Sequence, residues 1–227
     1  FWFMCRTMLT LLPIVGLVGS NNLSTAIIIL GIGVILIFAA SPRYIQFATL
    51  GGAGIGFIAI FLAAESYRLE RLAIWREPEK YEKGFQTIQG LYAIGSGGLF
   101  GRGIGNSIQK LGFVPEAQND MIFSIICEEM GLTGAIILIL IFALLLWRLC
   151  VISMNCQELS GAMIAAGIMG HLAIQVILNI AVVTNTIPNT GITLPFISYG
   201  GTSIVFLLGE MGLALNVSRQ KNNPPTR

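Results

Sequence analysis

The stretch that decides how this chain is read is GFQTIQGLYAIGSGGLFGRGIGNSIQKLGFVPEAQNDMIFSIICEEMG, Gly84 to Gly131. It is rich in glycine, it carries ionisable side chains, and Asp120 in it leads into an apolar helix. Apart from the charged Glu65 to Lys83 ahead of it and the polar end of the chain, the rest of the sequence is made of long apolar runs. With 55% apolar and 11% charged residues and a mean hydropathy of +0.80, the chain is far from an ordinary soluble domain, in which about 25% of residues are charged. It reads as an all-α, polytopic membrane protein. Phe1 opens it with no basic region ahead of a cleavable apolar core, so no leader peptide is expected, and the chain reads as a piece of a longer protein. Cys5, Cys127, Cys150 and Cys156 sit in or beside apolar runs without metal-ligand spacing, and are expected to pack as free thiols.

A membrane-crossing helix needs roughly 20 apolar residues. Six candidates meet or approach that length: Thr7 to Val18, short and containing Pro13; Leu23 to Ala40; Tyr44 to Ala64, after a turn at Ser41-Pro42-Arg43; Met121 to Leu146; Gly161 to Val183; and Gly200 to Val217. The expected organisation is three helices in residues 1–64, a long loop in 65–120, three more helices in 121–217, and a disordered tail in 218–227. Basic residues collect on the cytoplasmic side of short loops. Arg6, Arg43, Arg148, Arg219, Lys221 and Arg227 fall on one side if the spans alternate. The carboxyl terminus is therefore expected in the cytoplasm and the long loop outside.

Within the loop, YRLERLAIWR (Tyr67 to Arg76) aligns Leu69, Leu72 and Ala73 on one helical stripe, and Phe85, Ile88, Leu91 and Tyr92 recur at helical spacing. Both segments predict amphipathic helices at the membrane interface, with Arg68 and Arg71 placed to meet anionic lipid or lipid-linked phosphate. Gly95 to Gly105 holds six glycines in eleven residues. Two readings stand, a series of tight turns and a backbone-amide cradle for phosphate, and Arg102 and Lys110 favour the second. The segment fits neither a P-loop nor a dinucleotide fingerprint.

Ionisable groups inside a membrane are expensive. Asp120, Ser124 and Glu128 form one stripe of the strongest span, and His171, Gln175 and Asn179 one stripe of the next. These stripes are expected to face each other or a wet cavity, with Glu128 and His171 as partners and Glu210 structural.

The quoted core, QTIQGLYAIGSGGLFGRGIGNSIQKLGFVPEAQNDMIFSIICEEMGLTG, resembles the first signature of the SEDS family of peptidoglycan glycosyltransferases (shape, elongation, division and sporulation). TGITLPFISYGGTS, Thr190 to Ser203, resembles its second signature, and SNNLSTA, Ser20 to Ala26, a diverged third. GLALNVSR and LYAIGSGGLFG are closer to the division and sporulation branch than to elongation. The resemblance implies a bundle of about ten helices, of which about six are here. It implies polymerisation of lipid II, the undecaprenyl-pyrophosphate-linked disaccharide-pentapeptide, on the outer face of the bacterial cytoplasmic membrane. The implied partners are a class B penicillin-binding protein transpeptidase and other division proteins; no nucleic acid is expected.

The family motif PE-x-H-T-D stands here as Pro115-Glu116-Ala117-Gln118-Asn119-Asp120, which gives Asp120 the catalytic role. Gln118 and Asn119 replace the usual histidine and threonine. Gln109, Lys110, Glu128 and Glu129 also match the family motif. Chemically, Asp120 can deprotonate an acceptor hydroxyl, or hold a divalent cation such as Mg2+ against a departing pyrophosphate, or cap the helix that follows it. Arg102, Lys110, Gln109, Glu116, Arg68 and Arg71 are the expected substrate-binding residues. Glu128, Glu129, His171, Gln175 and Asn179 are the expected supporting polar network. A lipid flippase and a non-catalytic division scaffold are the competing functions.

Overall fold

The computed structural model describes residues 2–40, 52 and 66–220, with side chains for 9–40, 52 and 70–219. The described residues form helices and turns with no strand. These are α1 (Trp2–Asn21), α2 (Leu23–Ala40), α3 (Ser66–Arg76), α4 (Phe85–Gly97), α5 (Ile122–Asn155), α6 (Leu159–Val183) and α7 (Gly201–Gln220). Short 3-10 turns at Pro78–Lys80, Glu82–Gly84 and Gln109–Leu111 punctuate the long connection. Among the described residues α2, α5, α6 and α7 are long and apolar enough to cross a membrane. The expected span from Tyr44 to Ala64 and the turn before it lie outside the described residues.

Local sequence accounts for the boundaries. Asn22 alone separates α1 from α2, and its Oδ1 accepts the Thr25 amide at 3.1 Å, a helix N-cap. α5 runs past the expected Leu146 to Asn155 because Leu149, Cys150, Val151 and Ile152 continue the apolar run across Arg148. α7 takes in Ser218, Arg219 and Gln220. The expected tail thus loses its first three residues to the helix, and residues 221–227 lie outside the described residues. Cys127, Cys150 and Cys156 are free thiols as expected, and the Cys5 side chain lies outside the described residues.

The chain divides into two compact units. In the first, residues 2–40 join 145–174 and 205–220. Glycine permits close packing there: a Cβ at Gly31 would come 2.5 Å from Ile174, and one at Gly170 2.8 Å from Ile35. His171 on α6 meets Glu210 on α7, its Nδ1 lying 2.9 and 3.0 Å from the two carboxylate oxygens.

The second unit joins residues 66–144 with 175–204. Its core gathers Val114, Met121, Phe123, Cys127, Phe142, Val183 and Leu194. Its organising feature is an exchange between two helix ends. α4 stops at Gly97, and α5 is interrupted at Gly131, whose φ of 66° and ψ of −165° are not helical. Each end leaves carbonyls without an intrahelical partner, and each supplies what the other lacks. The Arg102 and Gly103 amides donate to the Glu128 and Glu129 carbonyls at 3.0 and 2.9 Å, while the Leu132 and Thr133 amides donate to Gly98 and Leu99 at 2.9 and 3.1 Å. The glycine-rich segment is therefore a splice into a broken membrane helix. Its amides from Gly101 to Gly103 are spent inside the protein, so over these residues the tight-turn reading holds and the phosphate cradle does not.

Candidate functional site

Asp120 is the second residue before α5 and only 8% exposed. The motif ahead of it folds as a compact turn in which the Asn119 amide donates to the Glu116 carbonyl at 2.9 Å. Glu116 adopts a positive φ of 52°, and its carboxylate accepts the Asn119 side-chain amide. From α4, Gln86 Nε2 donates to Asp120 Oδ1 at 3.2 Å. Burial pushes the Asp120 carboxyl above its usual 3.8, and the negative field of Glu116 adds to that; hydrogen bonds from Gln86 and nearby backbone amides pull it back only in part. The result suits a proton acceptor working nearer neutrality than a solvated aspartate.

Asp120 opens onto a cavity of about 280 Å³. α3 and the turn after it contribute Arg71, Trp75 and Lys83, and the loop before α7 contributes Asn185, Asn189 and Thr190. That loop is tied to α3: Trp75 Nε1 donates to the Asn185 carbonyl at 2.9 Å and Arg71 Nη1 to the Asn189 carbonyl at 3.4 Å. Lys83 pairs with Glu70, also in the wall, at 3.0 Å. The lining charges of Arg71, Lys83, Glu70 and Asp120 cancel. A diphosphate entering this space would need added positive charge, and Asp120 is the wall carboxylate not already paired with a lysine.

A second groove of about 580 Å³ runs beside the same motif, polar at Lys110, Glu116 and Gln118 and apolar along Leu111, Val114, Ile122 and Ile125.

The structure redistributes the residues expected to bind substrate. Arg71 lines the Asp120 cavity, and Glu116 bears on Asp120 through its charge. The Arg68 side chain lies outside the described residues. Arg102 and Lys110 do not line that cavity. Arg102 lies 3.5 Å from Glu128, and Lys110 reaches Glu129 at 2.6 Å and the Gly105 carbonyl at 2.8 Å. They secure the loop to the broken helix, because two adjacent membrane carboxylates require partners. Gln109 takes part through its amide, 3.3 Å from Glu128.

The expected pairing of Glu128 with His171 is not what forms. Glu128 is fully enclosed and accepts from the Ser107 hydroxyl at 2.5 Å and the Ile108 amide at 3.2 Å, while His171 pairs with Glu210 in the other unit. The loop turns back onto its own helix and satisfies the carboxylate locally. Asn179 does join the site, donating to the Asp120 carbonyl at 2.8 Å; the Gln175 side-chain carbonyl finds no partner among the described residues. No three metal-ligating side chains cluster among the described residues. A divalent cation here would rest on Asp120 and on substrate oxygens, which is compatible with Mg2+, whose protein ligands are commonly one or two carboxylates. Sequence reasoning passed over Gln86, Lys83 and Ser198, although the first and last stand inside the quoted motifs.

The family of FtsW, RodA and SpoVE, described as cell cycle proteins, matches residues 2–223. Stage V sporulation protein E of Bacillus subtilis is 45% identical over 201 residues, covering 87% of this chain and 55% of that protein. A probable peptidoglycan glycosyltransferase FtsW of Trichlorobacter lovleyi is 37% identical over 214 residues, covering 93% of this chain and 56% of that protein. The chain thus spans about half the length of these relatives. Among solved structures, a chain from work on the structural coordination of polymerization and crosslinking by a peptidoglycan synthase complex aligns with a TM-score of 0.75 at 28% identity, over 96% of this chain and 62% of that one. The rod shape determining protein RodA of Thermus thermophilus aligns at 0.65 and 28% identity, over 97% and 57%. With its motifs, its helices and its matches in agreement, the chain belongs to the FtsW/RodA/SpoVE family of multi-pass membrane proteins.

Proposed function

We propose that the protein, in its full-length form, polymerises lipid II into glycan strands at the outer face of the bacterial cytoplasmic membrane during division or sporulation. The observation that carries this reading is a buried carboxylate with a raised pKa, oriented by Gln86, at a cavity whose wall includes Arg71 and Lys83. In the reaction the acceptor sugar hydroxyl attacks the anomeric carbon of the donor. The bond from that carbon to the lipid pyrophosphate breaks, the pyrophosphate leaves with the electron pair, and the hydroxyl proton passes to Asp120. Burial raises the affinity of Asp120 for that proton, and the Gln86 hydrogen bond to Oδ1 orients the carboxylate that receives it. The amphipathic groove beside the motif suits a polyprenyl chain lying against Ile122 and Ile125. In the alternative role Asp120 would hold a divalent cation such as Mg2+ against the departing pyrophosphate, which would supply the positive charge that the balanced cavity wall lacks. The carboxyl terminus lies in the cytoplasm, and a class B penicillin-binding protein is the partner that would cross-link the strands.

The test is strand formation from lipid II by the purified full-length protein with its transpeptidase in detergent, where sidedness is lost. Strands are expected, and loss of turnover on chelation that added Mg2+ reverses would assign Asp120 the metal-holding role. A well-folded protein that makes none would point to a flippase or a scaffold. Gln86→Ala should lower kcat and move the acidic limb of the pH–rate profile to higher pH, because the lost hydrogen bond favours the ionised carboxyl. An unmoved limb would remove Gln86 from the site.

A further inference from the structure

Three successive carbonyls at the end of the catalytic motif each accept a hydrogen bond from a different group. Gln118 accepts from the Tyr199 amide at 2.8 Å, Asn119 from the Ser198 hydroxyl at 2.6 Å, and Asp120 from the Asn179 side-chain amide at 2.8 Å. Two of these donors are double-ended. Asn179 Nδ2 also donates to the Ile192 carbonyl at 2.7 Å, and the Ser198 hydroxyl also accepts the Leu194 amide at 2.7 Å. Asn179 thus spends both of its N–H donors, and Ser198 its one donor and one acceptor position, in joining 118–120 to 192–198. Asn179 is fully enclosed and Ser198 is buried.

We propose that Asn179 and Ser198 are positioning residues that clasp the backbone of Asp120 to the loop before α7, and so couple the carboxylate to the wall of the substrate cavity. The inference rests on the reading of Asp120 as the proton acceptor. The loop's first half supplies Asn185, Asn189 and Thr190 to the cavity, and its second half holds Asp120. Substrate pressing on one end bears on the carboxylate through the other. Between the two clasps Phe196 has a φ of 63°, a conformation costing a bulky residue about 1–3 kcal/mol that persists only where its surroundings over-determine it. The Ser198 and Asn179 bonds on either side of it provide that determination.

The test compares full-length Ser198→Ala, Ser198→Thr and Asp120→Asn in lipid II polymerisation. Ser198→Ala should lower kcat by about 10²-fold, the order expected when a reacting group is misplaced by about 1 Å, with KM nearly unchanged. Ser198→Thr, which keeps a hydroxyl able to donate and accept, should recover most of that loss. The clasp is overturned if Ser198→Ala turns over within about twofold of wild type. It is also overturned if the loss appears in KM instead of kcat, or if Ser198→Thr melts like wild type and recovers nothing. Asp120→Asn separates the two claims: strands from it sink the proton-acceptor reading, whereas an inactive Asp120→Asn beside a fully active Ser198→Ala sinks the clasp alone.

Discussion

Gly101→Ala is expected to lower both the folded yield and the melting temperature sharply. At Gly101 φ is 77°, and a Cβ there would stand 2.1 Å from the Glu129 carbonyl oxygen, 2.4 Å from its carbon and 2.6 Å from the Gly131 nitrogen. All three are backbone atoms of the exchange between the two helix ends. None can retreat without breaking the bonds from Arg102 and Gly103 to α5. Gly131 faces the same wall from the other side, with 2.4 Å to the Gly101 nitrogen. Left-handed strain and overpacking together put the loss at or above about 3 kcal/mol, a large part of a typical total stability. Gly105 is the internal control. Its φ is 87° but nothing lies within 4 Å of its Cβ position, so Gly105→Ala should cost only the conformational part, about 1–2 kcal/mol. Folded yield and melting temperature in detergent measure the contrast, and equal melting temperatures for the two variants would dismiss the splice as a structural requirement.

Asp120→Asn is expected to abolish strand formation and yet melt at a higher temperature than wild type at neutral pH. A general base contributes about 10²–10⁴-fold to turnover, so the remaining rate should be near background. The stability gain follows from the raised pKa of Asp120. A carboxyl whose folded pKa exceeds its unfolded value favours folding at pH below 3.8, and that contribution is lost as pH rises through the folded value. Above that window the ionised group is a burden that asparagine, similar in shape and uncharged, does not carry, while Gln86 can still donate to the retained oxygen. Below about pH 3.8 the two proteins should converge. Melting curves across pH read this directly, and a wild type that is more stable than the variant at neutral pH would contradict the burial of a charged Asp120.

The helices were legible because membrane burial writes itself as length and apolarity: Leu23 to Ala40 is α2 to the residue. Asp120 was singled out by its motif, and it lies buried at the cavity. What could not be read was who satisfies whom. Glu128 and His171 sit on stripes that promise a pair, but helical periodicity gives only a direction, and the loop carrying Ser107 and Arg102 folds back to take Glu128 first. The glycines likewise announce unusual φ angles without saying what lies opposite them. Here it is backbone, so Gly101 and Gly131 answer a steric demand and not a phosphate. Ser198 was passed over for the same reason, since its role depends on Asn119, distant in sequence, and no local pattern records that distance.

The most direct measurement is binding and turnover of lipid II by full-length wild type and Asp120→Asn, side by side, with the transpeptidase present. A buried base that acts only on the acceptor proton predicts that the variant binds lipid II with about wild-type affinity and forms no strands. Strands from the variant at the wild-type rate would contradict the account, and Asp120 would then be only the polar residue that leads into α5.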